Sequence, residues 1–223
     1  MEPEFWLERW QNNEIGFHLP TVNPLLVEHW PQLHLPAGTR VLVPLAGKTV
    51  DLGWLRAQGH AVVAVELSEA AAQAFYTQAG LTPSREQDGA FIRYHADGID
   101  YLVGDFFSLD AVTLGEFGAV WDRGALVALP PPMRARYAAH MIQLSAAATR
   151  NLLVTLEYAQ SHMKGPPFAV PETEVHALFA ASHELALLLR EDILDLEPRF
   201  RDRGVSALHS AVYALTRRAC SQS

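Results

Sequence analysis

The hydrophobic pattern of this 223-residue chain alternates between short apolar runs and longer amphipathic stretches. Five apolar runs of strand length predict β-strands at 40–45, 61–67, 99–107, 118–124 and 151–158. Several of them are apolar at nearly every position, which is typical of strands covered on both faces. Helices are predicted between and after these strands, at 49–59, 69–80, 130–147 and 172–182, and two further candidate elements follow at 184–191 and 206–216.

This alternation of strands with helices of about a dozen residues indicates an α/β fold with a doubly wound, parallel sheet. No internal repeat, low-complexity segment or linker interrupts the pattern, so we predict a single domain over residues 1–223. Residues 1–35 lie outside the alternation and form a predicted N-terminal arm.

Composition narrows the class of protein. Hydrophobic residues make up 49% of the chain and charged residues 19%, as in a globular protein with a sizeable core. The formal net charge of −8 argues against a nucleic-acid partner. The acidic N-terminus lacks the apolar core of a signal peptide, and no apolar run is long enough to span a bilayer, so a cytoplasmic location is expected. The ten histidines show no metal-binding spacing, and no metal is predicted.

The turn after the first strand, in "VLVPLAGKTVDL", resembles the end of a phosphate-binding P-loop at Gly47-Lys48-Thr49. A P-loop needs a second glycine five residues before Gly47, where this chain has Leu42. A dinucleotide-binding turn needs three closely spaced glycines, but the next glycine here is Gly53, within a predicted helix. The turn therefore lacks both a triphosphate and a pyrophosphate cradle. It suits a ligand that has a ribose and an adenine but no phosphate, such as S-adenosylmethionine.

Glu66 is the strongest single signal of a ligand site. It ends the second strand, 19 residues after Gly47, where α/β nucleoside-binding folds hold the ribose hydroxyls. The alternative is a surface carboxylate, or one that favours the N-terminus of the following helix, for which Ser68 is the predicted N-cap.

Other candidate residues follow the third and fourth strands. Asp105 could accept a hydrogen bond from an adenine amino group, and Phe106 and Phe107 could pack on the ring; the alternative is a turn aspartate beside two core aromatics. Arg123, next to Asp122, offers a permanent cation where a substrate would meet the cofactor, or else forms a structural ion pair.

The predicted arm carries aromatic residues at Trp6, Trp10 and Phe17. The spacing of four places the two tryptophans on one helical face. They either anchor the arm to the core or face a sulfonium through a cation–π contact and exclude water from the reaction.

Five segments together resemble the thiopurine S-methyltransferase family, most closely its bacterial form: "FWLERWQNNEIGFH", "VPLAGKTVDLGWL", "GHAVVAVELSE", "VWDRGALVALPP" and "GPPFAVP". The resemblance runs along the whole chain. It implies a class I methyltransferase, Rossmann-like fold: a seven-stranded, mostly parallel sheet with an antiparallel last strand and helices on both faces. It also implies a monomeric cytoplasmic enzyme that uses S-adenosyl-L-methionine and releases S-adenosyl-L-homocysteine.

The same resemblance assigns roles to individual residues. Phe17 matches a lid residue between cofactor and substrate, a role that Trp6 shares, and Arg199 matches a second arginine near the substrate. From the chemistry of the reaction we expect Arg123, together with Arg199, to favour an anionic, thiolate-like substrate. The implied cofactor positions are Trp10, Leu45, Gly47, Glu66, Asp105, Phe106 and Arg123, and the implied catalytic arginines are Arg123 and Arg199. Ala46 departs from the family, which commonly has cysteine there.

The implied reaction is S-methylation of thiopurines and of other aromatic or heterocyclic thiols. Bacterial members of the family are also associated with selenium and tellurium compounds, so the resemblance extends the expectation to tellurite resistance. Two alternatives stay open at this point: a non-catalytic S-adenosylmethionine-binding protein, and an NAD-dependent oxidoreductase.

Overall fold

Strands form where the apolar runs predict them, in a computed structural model that describes residues 3–12, 14 and 18–219. Phe17 lies outside the described residues. The described chain divides into two compact units, one ending at Trp121 and the other beginning at Asp122. No described helix has the length and apolar character that a bilayer crossing requires.

The described part of the first unit contains five helices and the strands of a mixed sheet. Its helices are α1 (Pro3–Gln11), α2 (Pro24–His29), α3 (Asp51–Ala57), α4 (Glu69–Ala79) and α5 (Ala111–Leu114). Its strands are β1 (Arg40–Pro44), β2 (Ala61–Glu66), β3 (Ser84–Asp88), β4 (Phe91–Ala96), β5 (Ile99–Val103) and β6 (Ala119–Asp122). Short 3₁₀ turns lie at Trp30–Leu33 and Phe106–Ser108.

Strand order in this unit is β3-β4-β5-β2-β1-β6. The pairs β1–β2, β1–β6 and β2–β5 are parallel, as predicted, because each connection between them crosses over through a helix or a long excursion. Glu66 pairs with Val103 and Pro44 with Val65, so the carboxyl ends of β1, β2 and β5 meet at one edge of the sheet. Ligands of parallel sheets bind at this kind of edge.

The second unit contains the helices α6 (Ala125–Ala128), α7 (Pro131–Leu144), α8 (Glu172–Phe179) and α9 (Pro198–Arg201), and the strands β7 (Arg150–Glu157), β8 (His183–Asp192) and β9 (His209–Arg217). A 3₁₀ turn lies at Gln160–His162. The strand order is β7-β9-β8, and both pairs are antiparallel. The last strand of the chain is therefore antiparallel to its neighbours, as the resemblance implies.

The α/β fold with a parallel core is confirmed, but the expected number of strands, seven, is too low. The described residues contain nine strands, and the hairpin formed by β3 and β4 is the addition, joined antiparallel to β5. The pattern did not reveal β3 because its sequence, "SREQD", is polar and largely exposed. β3 is held in the sheet by its backbone pairing with β4, and not by burial of an apolar face.

Candidate active site

The turn after β1 has an unusual backbone. Leu45 and Gly47 both have positive φ angles, +48° and +54°, in the left-handed region that a leucine adopts at a cost of roughly 1 kcal/mol or more. The amide of Ala46, between them, donates to the carbonyl of Val65 at 3.0 Å and so ties the turn to the end of β2. Non-glycine residues held in this conformation cluster at functional sites.

Glu66 is bound to this turn through its side chain. Its Oε2 accepts a hydrogen bond from the Gly47 amide at 3.0 Å, while Oε1 accepts from the amides of Leu67 and Ser68 at 2.8 and 3.1 Å. Only 9% of the residue is exposed, so the alternative of a surface carboxylate is wrong. Ser68 stands at the N-cap of α4, but its side chain makes no capping hydrogen bond.

The electrostatics of Glu66 reflect this enclosure. Burial raises the pKa of Glu66, and the hydrogen bonds from Ser68, Gly47 and Leu67 lower it by less. An ionised carboxylate has about four acceptor positions, of which backbone amides take three here. The remaining position fits a donor such as a ribose hydroxyl. This acceptor therefore suits the ribose of a nucleoside-containing ligand.

The N-terminal arm reaches the same turn through His18. A Cβ added at Gly47 would lie 2.2 Å from Cε1 of His18, so a side chain there would require the imidazole to move. The rings of His18 and Trp10 are 5.2 Å apart, and Trp10 is 9% exposed. Trp6 lies on α1, half-buried, with its ring edge-on to Phe5 at 5.3 Å. The structure thus brings Trp10, Gly47 and Glu66 together.

His18 was not among the sequence-predicted site residues. A single histidine carries no pattern of its own. The available signal was its position in the "GFH" segment, directly after the predicted lid residue Phe17, which lies outside the described part of the chain.

Asp105 and Phe106 follow β5 at the same edge of the sheet. The amide of Gly104 donates to the carbonyl of Glu66 at 2.9 Å. This hydrogen bond places the segment beside Glu66, the candidate ribose-binding residue. Asp105 is exposed and its Oδ1 accepts from the amide of Phe107 at 3.0 Å, so it does act as a turn aspartate. The Phe106 side chain is buried, 5.9 Å from the half-buried ring of Phe107.

In the second unit, Arg123 lies in a segment fixed by its neighbour Asp122. The buried Asp122 carboxylate accepts from the Tyr137 hydroxyl at 2.6 Å and from the amides of Ala125 and Leu126 at 3.2 and 3.3 Å. These bonds join Asp122 to the first two residues of α6 and so hold the backbone on both sides of Arg123. The side chain of Arg123 is half-buried.

Arg199 lies in α9 of this second unit. Its side chain is half-exposed, and its Nε donates to Glu197 at 2.8 Å. Its predicted role at the substrate rests on the resemblance alone.

Comparison with known proteins decides the family. A sequence model of the family described as Thiopurine S-methyltransferase (TPMT) matches residues 1–218. The chain belongs to the thiopurine S-methyltransferase family. The thiopurine S-methyltransferase of Xanthomonas campestris pv. campestris (strain 8004) is 51% identical over 217 residues, which are 97% of this chain and 100% of that relative. The protein of the same name from Pseudomonas aeruginosa (strain UCBPP-PA14) is 49% identical over the same shares of the two chains.

Solved structures with low sequence identity share the fold of this thiopurine S-methyltransferase family member. The 1,6-didemethyltoxoflavin-N1-methyltransferase of Burkholderia thailandensis, solved with S-adenosylhomocysteine bound, has a TM-score of 0.63 at 18% identity over 97% of this chain and 87% of its own. An arsenic(III) S-adenosylmethionine methyltransferase from Chlamydomonas reinhardtii has a TM-score of 0.60 at 18% identity, over 85% of this chain and 67% of its own.

The class I methyltransferase fold is thereby confirmed, and the chain is an enzyme that uses S-adenosylmethionine as its methyl donor. This decides against the two alternatives, a non-catalytic binding protein and an NAD-dependent oxidoreductase.

Proposed function

We propose that this enzyme transfers the methyl group of S-adenosylmethionine to the sulfur of thiopurines and of other aromatic or heterocyclic thiols. The observation that carries the proposal is the similarity to relatives named for this reaction, which are 51% and 49% identical over 97% of this chain. We also propose that residues 1–223 act as a single catalytic domain in which the arm, residues 1–35, covers the site.

The cofactor-binding part of the proposal starts from the edge formed by Gly47 and Glu66. The free acceptor position of Glu66 takes a ribose hydroxyl, and Gly47 allows the backbone of the turn to approach the ligand. Asp105 and Phe106, beside Glu66, take the adenine, and Leu45 lies in the same turn. In the arm, Trp10 and Trp6 supply aromatic faces that attract a sulfonium, and Phe17 completes the lid.

When bound, S-adenosylmethionine supplies an electrophilic methyl group on a positively charged sulfur. The attacking sulfur of the substrate forms a bond to the methyl carbon while the bond from that carbon to the sulfonium breaks, so the opposite charges of thiolate and sulfonium disappear together. No covalent intermediate on the protein is needed. The residues of the site align the reactants and exclude water, and alignment alone can lower a barrier by about 7–11 kcal/mol.

Arg123 favours the thiolate in this account, and Arg199 assists it. A guanidinium keeps its charge at all relevant pH values, so it stabilises the anionic form of a thiol and increases the fraction that can react. The hydrogen bonds of Asp122 fix the backbone on both sides of Arg123. The same reasoning admits selenium and tellurium nucleophiles, which are soft and polarisable, and extends the proposal to metalloid methylation and tellurite resistance.

The test is methylation of 6-mercaptopurine, with hypoxanthine, its oxygen analogue, as the control substrate. We expect S-methylated product only from the thiol, detected by mass. The Arg123→Ala variant should lose most of its turnover below the pKa of the thiol and regain part of it at higher pH, where the substrate ionises unaided. Arg123→Lys should retain more activity than Arg123→Ala, and Arg136→Ala, which removes an exposed charge of α7, should behave as the wild type.

Two outcomes would contradict the proposal. Equal methylation of the oxygen analogue would show that the acceptor is not selected as a thiol. Turnover of Arg123→Ala that matches the wild type across the whole pH range would remove Arg123 from the reaction.

A further inference from the structure

A buried tyrosine of β5 reaches the turn that follows β1 and contains Leu45 and Gly47, which we call the cofactor turn. Tyr101 is the third residue of β5, has no exposed surface, and pairs in register with Ala64 of β2. Its hydroxyl donates a hydrogen bond to the carbonyl oxygen of Gly47, which lies beyond the end of β1 on the other side of β2. Ala64, the in-register partner of Tyr101, carries only a methyl group.

Gly47 is consequently held at both of its backbone polar groups. Its amide donates to Oε2 of Glu66, and its carbonyl accepts from Tyr101. Since Gly47 has a positive φ angle and no side chain, no packing of its own fixes the orientation of its peptides. These two hydrogen bonds restrain its amide and its carbonyl, which belong to two successive peptides.

Tyr101 remains a donor under all ordinary conditions. Burial raises the pKa of its hydroxyl well above the usual value, and the nearby Glu66 carboxylate and Tyr76 raise it further. The ring is also packed, 6.2 Å from the ring of Phe75 and 6.4 Å from that of Tyr76. The hydroxyl thus stays protonated and its ring is packed among aromatic side chains, which suits a group that holds a backbone position.

We propose that Tyr101 is a positioning residue for cofactor binding: it holds the carbonyl of the Gly47–Lys48 peptide and so restrains the backbone angles of Gly47 at which the amide of the preceding peptide faces Glu66. The Glu66 carboxylate is thereby held in one position before the ligand arrives. A preorganised site binds more tightly because less conformational freedom is lost on binding. This inference rests on the proposed role of Glu66 as the ribose acceptor.

The chain offers a matched control in Tyr76. This residue of α4 is also buried, 2% exposed, and its hydroxyl donates to the carbonyl oxygens of Ile99 and Tyr94, at 2.9 and 3.2 Å. Tyr76→Phe therefore removes a buried hydroxyl from the same aromatic cluster without removing a bond to the cofactor turn. Tyr101→Phe keeps the ring and its packing.

The experiment is calorimetric titration of S-adenosylhomocysteine into the wild type, Tyr101→Phe, Tyr76→Phe and Glu66→Ala, each first shown to be folded by thermal melting. We expect Tyr101→Phe to raise Kd by about tenfold, the equivalent of one hydrogen bond, and Tyr76→Phe to leave Kd unchanged. In turnover, Tyr101→Phe should raise KM for S-adenosylmethionine and leave kcat at saturating cofactor close to that of the wild type. A loss of general stability would not produce that division between KM and kcat.

Three results would overturn the inference. An unchanged Kd in Tyr101→Phe, with binding lost in Glu66→Ala, would remove Tyr101 and leave the proposed function standing. An equal loss of affinity for S-adenosylhomocysteine in Tyr101→Phe and Tyr76→Phe would show that the loss comes from general disturbance of the buried aromatic cluster. A wild type that does not bind S-adenosylhomocysteine would overturn the proposed function together with the inference.

Discussion

The imidazole of His18 occupies the space that a side chain at Gly47 would need: a Cβ built on Gly47 would lie 2.2 Å from Cε1 and 2.7 Å from Nε2 of His18. Gly47 is thus favoured for two independent reasons: its positive φ angle of +54°, and this close approach, which a side chain could relieve only by moving the His18 ring. Because His18 also lies against Trp10, the missing side chain lets the arm come close to the cofactor turn.

Replacement of Gly47 tests this relationship. In Gly47→Ala, the methyl group forces His18 or the turn to move, a form of overpacking that costs roughly 1–3 kcal/mol. We expect Kd for S-adenosylhomocysteine to rise by about tenfold to a hundredfold. Gly59→Ala is the control, because Gly59 also has a positive φ angle, +88°, but nothing lies within 4 Å of its added Cβ. It should lose about 1 kcal/mol of stability and keep its affinity. Equal affinities in the two variants would contradict the account.

Trp10 tests the role of the arm. In Trp10→Ala, the contact with His18 is lost and the arm should separate from the turn, so we expect weaker binding of S-adenosylhomocysteine by calorimetry and little change in the unfolding midpoint. Trp30→Ala is matched in residue type. Trp30 lies near the end of the same arm, but its contact is with the sheet-bearing part of the unit: it is 4% exposed, and its Nε1 donates to His60 at 3.1 Å. It should cost about 3–5 kcal/mol of stability and leave affinity unchanged where the chain is folded. A Trp10→Ala variant that loses stability but keeps its affinity for S-adenosylhomocysteine would show that Trp10 only anchors the fold.

Asp122 makes stability depend on pH. Burial raises its pKa from 3.8 to about 6, although Tyr137, Leu126 and Ala125 donate hydrogen bonds to it. The folded state therefore binds more protons than the unfolded state between these two values, and ionisation of Asp122 lowers stability as the pH rises through this window. Asp122→Asn removes the titration and keeps the shape of the side chain.

Urea unfolding of both proteins at pH 5 and pH 8 measures this effect. From pH 5 to pH 8, the wild type should lose about 1–1.5 kcal/mol of unfolding free energy relative to Asp122→Asn. Other titrating groups, such as His183, whose pKa burial lowers to about 4, contribute to both proteins and cancel in the difference. A difference that does not change with pH would show that Asp122 ionises as an ordinary surface aspartate does.

The parts of the fold that depend on local pattern were predictable from the sequence. The parallel strands β1, β2 and β5 were found because they are buried on both faces, and Glu66 was found because its position at the end of β2 is set by the topology. The hairpin of β3 and β4 was missed, since the polar β3 carries no strand pattern.

The relationships within the site were less accessible. Tyr101 has the sequence pattern of any core residue, and His18 that of any arm residue. Their relevance depends on which backbone atoms the fold brings to them: the carbonyl of Gly47 for Tyr101, and the open space at Gly47 for His18. The predicted roles of Arg123 and Arg199, the monomeric state and the cytoplasmic location stay predictions.

The most direct test of the central claim, that Gly47 and Glu66 form the cofactor site, is calorimetric titration of S-adenosylhomocysteine into the wild type and Glu66→Ala, with NAD and ATP as control ligands. We predict a Kd on the order of micromolar for S-adenosylhomocysteine alone, and loss of that binding in Glu66→Ala. Binding that survives in Glu66→Ala, or a wild type that prefers NAD, would contradict the account.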